Sequence, residues 1–266
     1  GLFHLVTADQ YGHSELLNSE HRHFADSIAD EIRANNSHRR STRLILPVGP
    51  VGQYPILAEI INDENISLKA CWFFMMDEHC DENGRVLDPT HPLSFRGIFQ
   101  DMFLDRVRRR LRLPKRQVIF PNQQNLHTLK RKIEAGGGVD TTYGGIGIHG
   151  HIAYNEPEAN VRESDPRLVD LNDFTRTINA VRAGTGGNLE GHPRKGLTLG
   201  MQQVLAASRV RLYCRNGIAL DWANTVLRLA LFGRPGDDYP VTYVQQHPDW
   251  MVVTDEDTAR SPEHVL

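Results

Sequence analysis

Apolar residues recur along this chain in two rhythms. Between Ser14 and Asn36, Leu17, Phe24, Ile28 and Ile32 return at helical spacing. Ser14 is placed to cap the start and the Asn35–Asn36 pair to end it, so the pattern predicts an amphipathic helix. "RLILPV" (43–48) predicts a short buried strand, followed by the turn-rich "GPVGQYP" and a helix in "ILAEIIND". "ACWFFMM" (70–76) is a continuous apolar run bounded by polar residues, the signature of a parallel strand covered on both faces. In 94–112, Phe95, Ile98, Phe99, Met102, Phe103 and Val107 keep helical spacing behind a Ser94 cap. A strand at 117–120, a helix in "NLHTLKRKIEAG" and a strand in "VDTTYG" follow. The last third predicts a helix in "LTLGMQQVLAA", a strand in "RVRLYC" and a helix closed by Gly233. Two final strands are expected, in "PVTYV" and "WMVVT".

Strands alternating with helices at these lengths predict an α/β fold: a mostly parallel central sheet with helices on both faces, Rossmann-like in layout. No repeat and no shift in composition divides residues 1–266, so one domain is expected. The polar, Gly-rich segment 182–196 is the one long irregular stretch, of the kind that closes over or lines a binding site. In such sheets, ligands lie beyond the carboxyl ends of the strands. Three segments leave predicted strands with useful chemistry: "VGPVGQ", "DEH" (77–79) and "GGIGIHGHIAYNEP" (144–157).

The bulk numbers narrow the field. A formal net charge of −3 gives no field suited to nucleic acid or an acidic membrane surface. The basic run "RVRRRLRLPKR" interleaves with Val107, Leu111 and Leu113 at core spacing, which marks a solvated helix face. No apolar run approaches the roughly 18 residues of a membrane span. Three dispersed cysteines form neither a metal motif nor a disulfide framework and point to reduced thiols in a cytoplasmic protein.

Asp77 stands where a buried strand reaches the surface. A half-desolvated carboxyl there has a raised pKa and serves as a base that takes and returns a proton; a cap on the next turn is the competing role for Asp77 or Glu78. His149 and His151, two residues apart, face one side of an extended segment among glycines that let a ligand approach the backbone. Glu156 is near enough in sequence to orient an imidazole, making a proton relay. The set also reads as three metal ligands, a nucleotide-binding glycine loop or a polar turn. It lacks the partners of a zinc motif and the glycine spacing and helix of a nucleotide loop.

"GGIGIHGHIAYNEP" resembles the signature of the glucosamine-6-phosphate deaminase (isomerase) family, G-G-[VI]-G-x-D-G-H-I-A-F-N-E-P. "FFMMDEH", "LILPVGP", "GLTLGMQQVLAASRV" and "VQQHPDWMVVTDED" are similar to further family segments, in order, from about residue 40 to the end. The sister 6-phosphogluconolactonases share only the first half of the signature. The resemblance implies a deaminase/isomerase fold and conversion of an amino sugar phosphate to a ketose phosphate and ammonia, without metal or organic cofactor. It makes Asp77 the enolisation base, His151 the ring-opening acid/base and Glu156 its carboxylate partner. It places Gly49, Gly52, Gln53, Gly145, Gly147 and Arg182 against a small-molecule sugar phosphate, and it implies a homo-oligomer. Three departures stand out. His149 replaces the family's Asp, which predicts a lowered pKa for His151; "VGPVGQ" replaces a hydroxyl-rich phosphate loop; and Ile218 aligns with a phosphate-binding Lys. Two functions of different class therefore remain: an isomerase or deaminase, or a relative that binds a sugar without turnover. A lactonase-like hydrolase is a further alternative.

Overall fold

The computed structural model describes residues 2–6, 19–186, 188–216 and 222–261. The strands are β1 (Leu2–Val6), β2 (Thr42–Leu46), β3 (Cys71–Met75), β4 (Asp77–Cys80), β5 (Val118–Ile119), β6 (Thr141–Gly145), β7 (Arg167–Asp170), β8 (Lys195–Thr198), β9 (Arg209–Tyr213) and β10 (Trp250–Asp255). The α-helices are α1 (Ser19–Ser37), α2 (Gln53–Asp63), α3 (Phe95–Phe99), α4 (Leu129–Ala135), α5 (Asp173–Arg182), α6 (Met201–Leu205), α7 (Ala223–Phe232) and α8 (Glu256–Ala259).

Seven strands form an all-parallel sheet in the order β1-β10-β9-β6-β2-β3-β5. β2 and β3 read as nearly continuous apolar runs because both of their faces are covered. Leu44 and Leu46 of β2, with Phe73 and Met75 of β3, point into the core under α1, α2 and α3. Ile45 and Phe74, between them, point into the opposite core with residues of α4, α6 and α7. β3 lies one strand in from the edge, beside the two-residue β5. The α1 prediction holds where it is described: Phe24, Ile28 and Ile32 are buried, and the helix runs on through Asn35 and Asn36. Ser14 and Leu17 lie outside the described residues.

Three element predictions are corrected. The helix expected over 94–112 keeps its Ser94 cap but ends in a π-helical turn at Gln100–Leu104. Beyond it, the Asn62 side chain donates to Arg106 O and accepts from Arg108 N, bonds that fix turns where a helix would continue. "LTLG" is not helical: residues 195–198 are β8, and only Met201–Leu205 forms a helix after Gly200. "PVTYV" is a 3₁₀ helix (Pro240–Gln246), in which Pro240 has no N–H for a ladder and Thr242 Oγ1 donates to Tyr239 O.

A second, antiparallel sheet, β4-β8-β7, is absent from the sequence reading. It joins the main sheet at Met76, whose N–H donates to Leu46 O and whose carbonyl accepts from Leu199 N. The chain changes sheets there, and Asp77 is the first residue of the new one.

Candidate active site

In the parallel sheet, chain order reverses between β2 and β6: from β2 it proceeds to β3 and β5 on one side, and β6, β9 and β10 lie on the other. Such a switch point opens a crevice at the carboxyl ends of the strands. The loops that follow the adjacent β6, β2 and β3 meet there. Gly145, Gly147 and His151 come from the first, Gly49 from the second and Asp77 from the third, and all line one pit. Asn179 and Arg182, from the last turns of α5, close its side, with Phe95 and Tyr154 opposite.

Asp77 is buried, not half-exposed, and among the described residues no hydrogen bond or ion pair engages its carboxylate. Burial, reinforced by the charge of Glu78, pushes its pKa up to about 8. The capping role falls to Glu78. Its carboxylate accepts from the backbone N–H groups of His79, Phe95 and Arg96, each at 2.8 Å, and so holds the start of α3. The two neighbouring acids thus have separate work: one ties down a helix, the other faces the pit.

His151 lies directly over Gly147, where any Cβ would fall within the imidazole ring. The Gly147 N–H donates to His151 O at 2.9 Å, and Gly150, at φ 63°, turns the chain between them. The ring's Nδ1 is buried with no partner, and so is Glu156 Oε1. Glu156 and His151 are neighbours, but no hydrogen bond joins them. Burial, then the nearby His149 and Arg182, lowers the His151 pKa to about 3. The direction is the one the His149 exchange predicts, with desolvation the larger cause.

Asn172 organises the rest. Its backbone N–H donates to Glu156 Oε2 at 3.0 Å, its Oδ1 accepts from Thr175 N as the cap of α5, and its Nδ2 donates to His149 Nδ1 at 3.0 Å. With Oδ1 committed to the cap, the amide presents only N–H to His149. The His149 Nδ1 is therefore the acceptor, and its Nε2 carries the proton. One donor atom each from His149, His151 and Glu156 lie within 4.8 Å of one another, so these three are the described residues that could hold a metal. The Asn172 contact disfavours it: Nδ1 is occupied, and Nε2 would have to lose its hydrogen.

No family model matches the chain. It is 25% identical over 251 residues to the glucosamine-6-phosphate deaminase of Mycoplasmopsis pulmonis, covering 91% of each protein. It is 31% identical over 201 residues to the glucosamine-6-phosphate deaminase of Caenorhabditis elegans, covering 70% of this chain and 68% of that one. The chain belongs to the glucosamine-6-phosphate deaminase family. A solved monomeric glucosamine-6-phosphate deaminase superposes with a TM-score of 0.79 at 24% identity, over 91% of this chain and 95% of that one. The 6-phosphogluconolactonase of Thermotoga maritima shares the fold at a TM-score of 0.61 and 17% identity, over 88% and 95%.

Against that family background, the sequence-predicted residues divide. Asp77, His151, Gly49, Gly145, Gly147 and Arg182 gather at the pit, and His149 and Glu156 stand behind His151. Gly52 and Gln53 do not line it. Gly52 starts α2 with its Cα against the His21 ring, and Gln53 is buried, its Nε2 donating to Pro50 O at 2.8 Å. Ile218, the position aligned with the deaminase family's lysine, lies outside the described residues. Asn172 and Asn179 were missed because α5 was missed. Asn172 followed by an acidic Asp173, with Arg182 in the last turn, was the available signal. Phe174, Ile178 and Val181 also keep helical spacing, but this stripe faces outward: Phe174 and Val181 are 65% and 48% exposed.

Proposed function

We propose that this chain converts glucosamine 6-phosphate to fructose 6-phosphate and ammonia by acid/base proton transfer, as the names of its relatives suggest. The observation that carries the reading is the meeting of the Asp77 carboxyl, the His151 imidazole and the Arg182 guanidinium around one pit at the switch point of the sheet.

Neutral His151 takes the proton of the anomeric hydroxyl and returns one to the ring oxygen, which opens the sugar. Glu156, a carboxylate beside that ring, offsets the charge the imidazole carries in between, and His149 contributes the Nε2–H that Asn172 imposes. Asp77 then removes the proton from C2 while the aldehyde oxygen takes one from the substrate's own ammonium group, leaving an enolamine, and Asp77 delivers its proton to C1. The resulting imine at C2 takes up water and expels ammonia, leaving the ketose. The base finishes in its starting state, with one water consumed. A carboxyl with a pKa near 8 has the basicity that C2 abstraction needs at neutral pH. Arg182, with its guanidinium 5.5 Å from the Trp222 ring centroid, is the cation placed to meet the phosphate.

The proposal includes a homo-oligomer, for which exposed Phe174 and Phe232 offer contact surface, and a cytoplasmic setting, which three buried free cysteines suit. Among the described residues no helix is long and apolar enough to cross a membrane. Ammonia release on a panel of 2-amino-2-deoxy hexose phosphates tests the activity. Binding of glucosamine 6-phosphate, seen as a thermal shift without ammonia from any of them, would establish the binder instead.

A further inference from the structure

At the β5 edge of the parallel sheet, away from the pit and sharing no lining residue with it, lies a cavity of about 340 Å³. Small-molecule sites usually span roughly 300–1,000 Å³, so it has the dimensions of a ligand site. Its floor is apolar. Phe99 of α3, Leu113 and Phe120 are buried beneath it, and Leu104 and Val118 are half-buried at its sides. Gln100 and Leu104, the two ends of the π-helical turn, both line it, and such turns often mark functional sites. Pro89 closes one side, an approach that Gly97 allows because a Cβ there would strike the Pro89 carbonyl.

Three cations and no acid line this cavity: Arg96, Arg112 and Lys115, the last two from the basic run that follows α3. Arg112 is already committed, its Nε donating to Val107 O at 2.7 Å and its Nη2 to Asp105 O at 3.0 Å. Among the described residues, the side chains of Arg96 and Lys115 make no hydrogen bond and no ion pair. Two uncompensated charges over an apolar floor are complementary to a molecule with an anionic head and an apolar body. Arg96 also stands one residue from the pit. Phe95 lines the pit, and the Glu78 carboxylate accepts from the backbone N–H groups of both Phe95 and Arg96. Glu78 in turn follows Asp77 in β4.

We propose that this cavity binds a small amphipathic anion, an alkyl body whose carboxylate or phosphate head is held by Arg96 and Lys115, and that its occupation alters turnover through α3 and Glu78. The binding stands apart from the deaminase reading; the effect on turnover rests on it.

Octanoate and octyl phosphate are the probes, titrated by calorimetry into the wild-type protein, with octanol and acetate as the partners that lack the head or the body. At least one probe should bind at a single site about tenfold or more tightly than either control, the tighter of the two naming the head. Hexanoate should bind about tenfold more weakly than octanoate. Arg96→Gln combined with Lys115→Gln keeps the backbone bond to Glu78 and should weaken the probe about tenfold or more. The corresponding pair of glutamates should take up octylammonium instead. With the site filled, kcat/KM for ammonia release from glucosamine 6-phosphate should change at least about twofold in the wild type and not in the glutamine pair, whose basal rate stays within about twofold. Probes that bind no better than octanol, or binding that survives the glutamine pair, would overturn the site; an unchanged rate with the site filled would overturn the link to Asp77. Should the wild type release no ammonia while the probe still binds and the glutamine pair still loses it, the site stands and the deaminase reading falls.

Discussion

The Asp77 carboxyl, its pKa pushed up to about 8 by burial and by Glu78, is protonated over most of the neutral range. A base in that state gives kcat/KM that rises with pH through about 8, measured on the free enzyme. His151, at about 3, adds no ionisation between pH 5 and 9. Asp77→Asn should lower ammonia release by about 10³-fold and leave binding of glucosamine 6-phosphate within a few-fold, as calorimetry can measure. If proton exchange at C2 persists in that variant, Asp77 is not the base. Gly147→Ala pushes a methyl group into the His151 ring and should cost about 10²-fold in kcat with little change in Tm. Asn172→Asp is a sharper probe. It preserves the cap on α5 and the backbone bond to Glu156, but it turns the donor facing His149 Nδ1 into an acceptor. The ring must then protonate Nδ1, so the pH–rate profile should shift while Tm holds. Asn172→Ala loses the cap as well and should lower stability by about 1 kcal/mol.

Among the elements, legibility followed burial. α1, α2 and the strands β2, β3 and β9 announce themselves because each presents continuous or periodic apolar residues to a core. β4, β7, β8 and α5 do not. "DEHC" is a strand made largely of polar residues, and α5 has Thr175, Arg176 and Ala180 as its buried positions and β-branched residues at Thr177, Ile178 and Val181. Their conformations come from tertiary pairing, Asp77 opposite Thr198 and Arg167 opposite Thr198 from the other side, which no local pattern encodes. Asp77 and the His149–Glu156 loop were legible through motif and strand ends; Asn172 and Asn179 were hidden with their helix. Arg182, the last residue of α5, has a prediction of its own. Arg182→Ala should raise KM for the phosphorylated sugar about 10- to 100-fold, with kcat nearly unchanged, and should not affect a non-phosphorylated analogue.

For the whole molecule, buried titratable groups set the response to pH. Burial pushes Glu20 and Asp77 up to about 8 and Glu78 up to about 7. A carboxyl with a raised folded pKa binds more protons in the native state, so its contribution declines as pH climbs from about 4 to its folded value. His21, His23 and His79 are lowered to about 4 and His151 to about 3, mainly by burial. These rings are neutral when folded and charged when unfolded below about 6.5, so their contribution is lost as pH falls beneath that value. The two slopes oppose each other below about 6.5, and the carboxyl slope acts alone above it. Tm measured across pH should therefore peak near 6 and decline towards 8, and Asp77→Asn should flatten the decline. A Tm that climbs steadily from pH 6 to 8 would contradict this.

The transfer of the chain from one sheet to the other at Met76 has a mechanical corollary. β4, β8 and β7 form a single ladder with Asp77 at one corner, and only the short link of residues 171–172 separates that ladder from α5. Asn172 in that link also bonds His149 and Glu156, and Tyr154 N donates to Thr198 Oγ1 of β8, so the ladder, α5 and the loop that carries His151 are held as one body. A bulky thiol label attached through Leu168→Cys, on the exposed outer strand of the ladder, should therefore leave turnover within about twofold of the unlabelled protein.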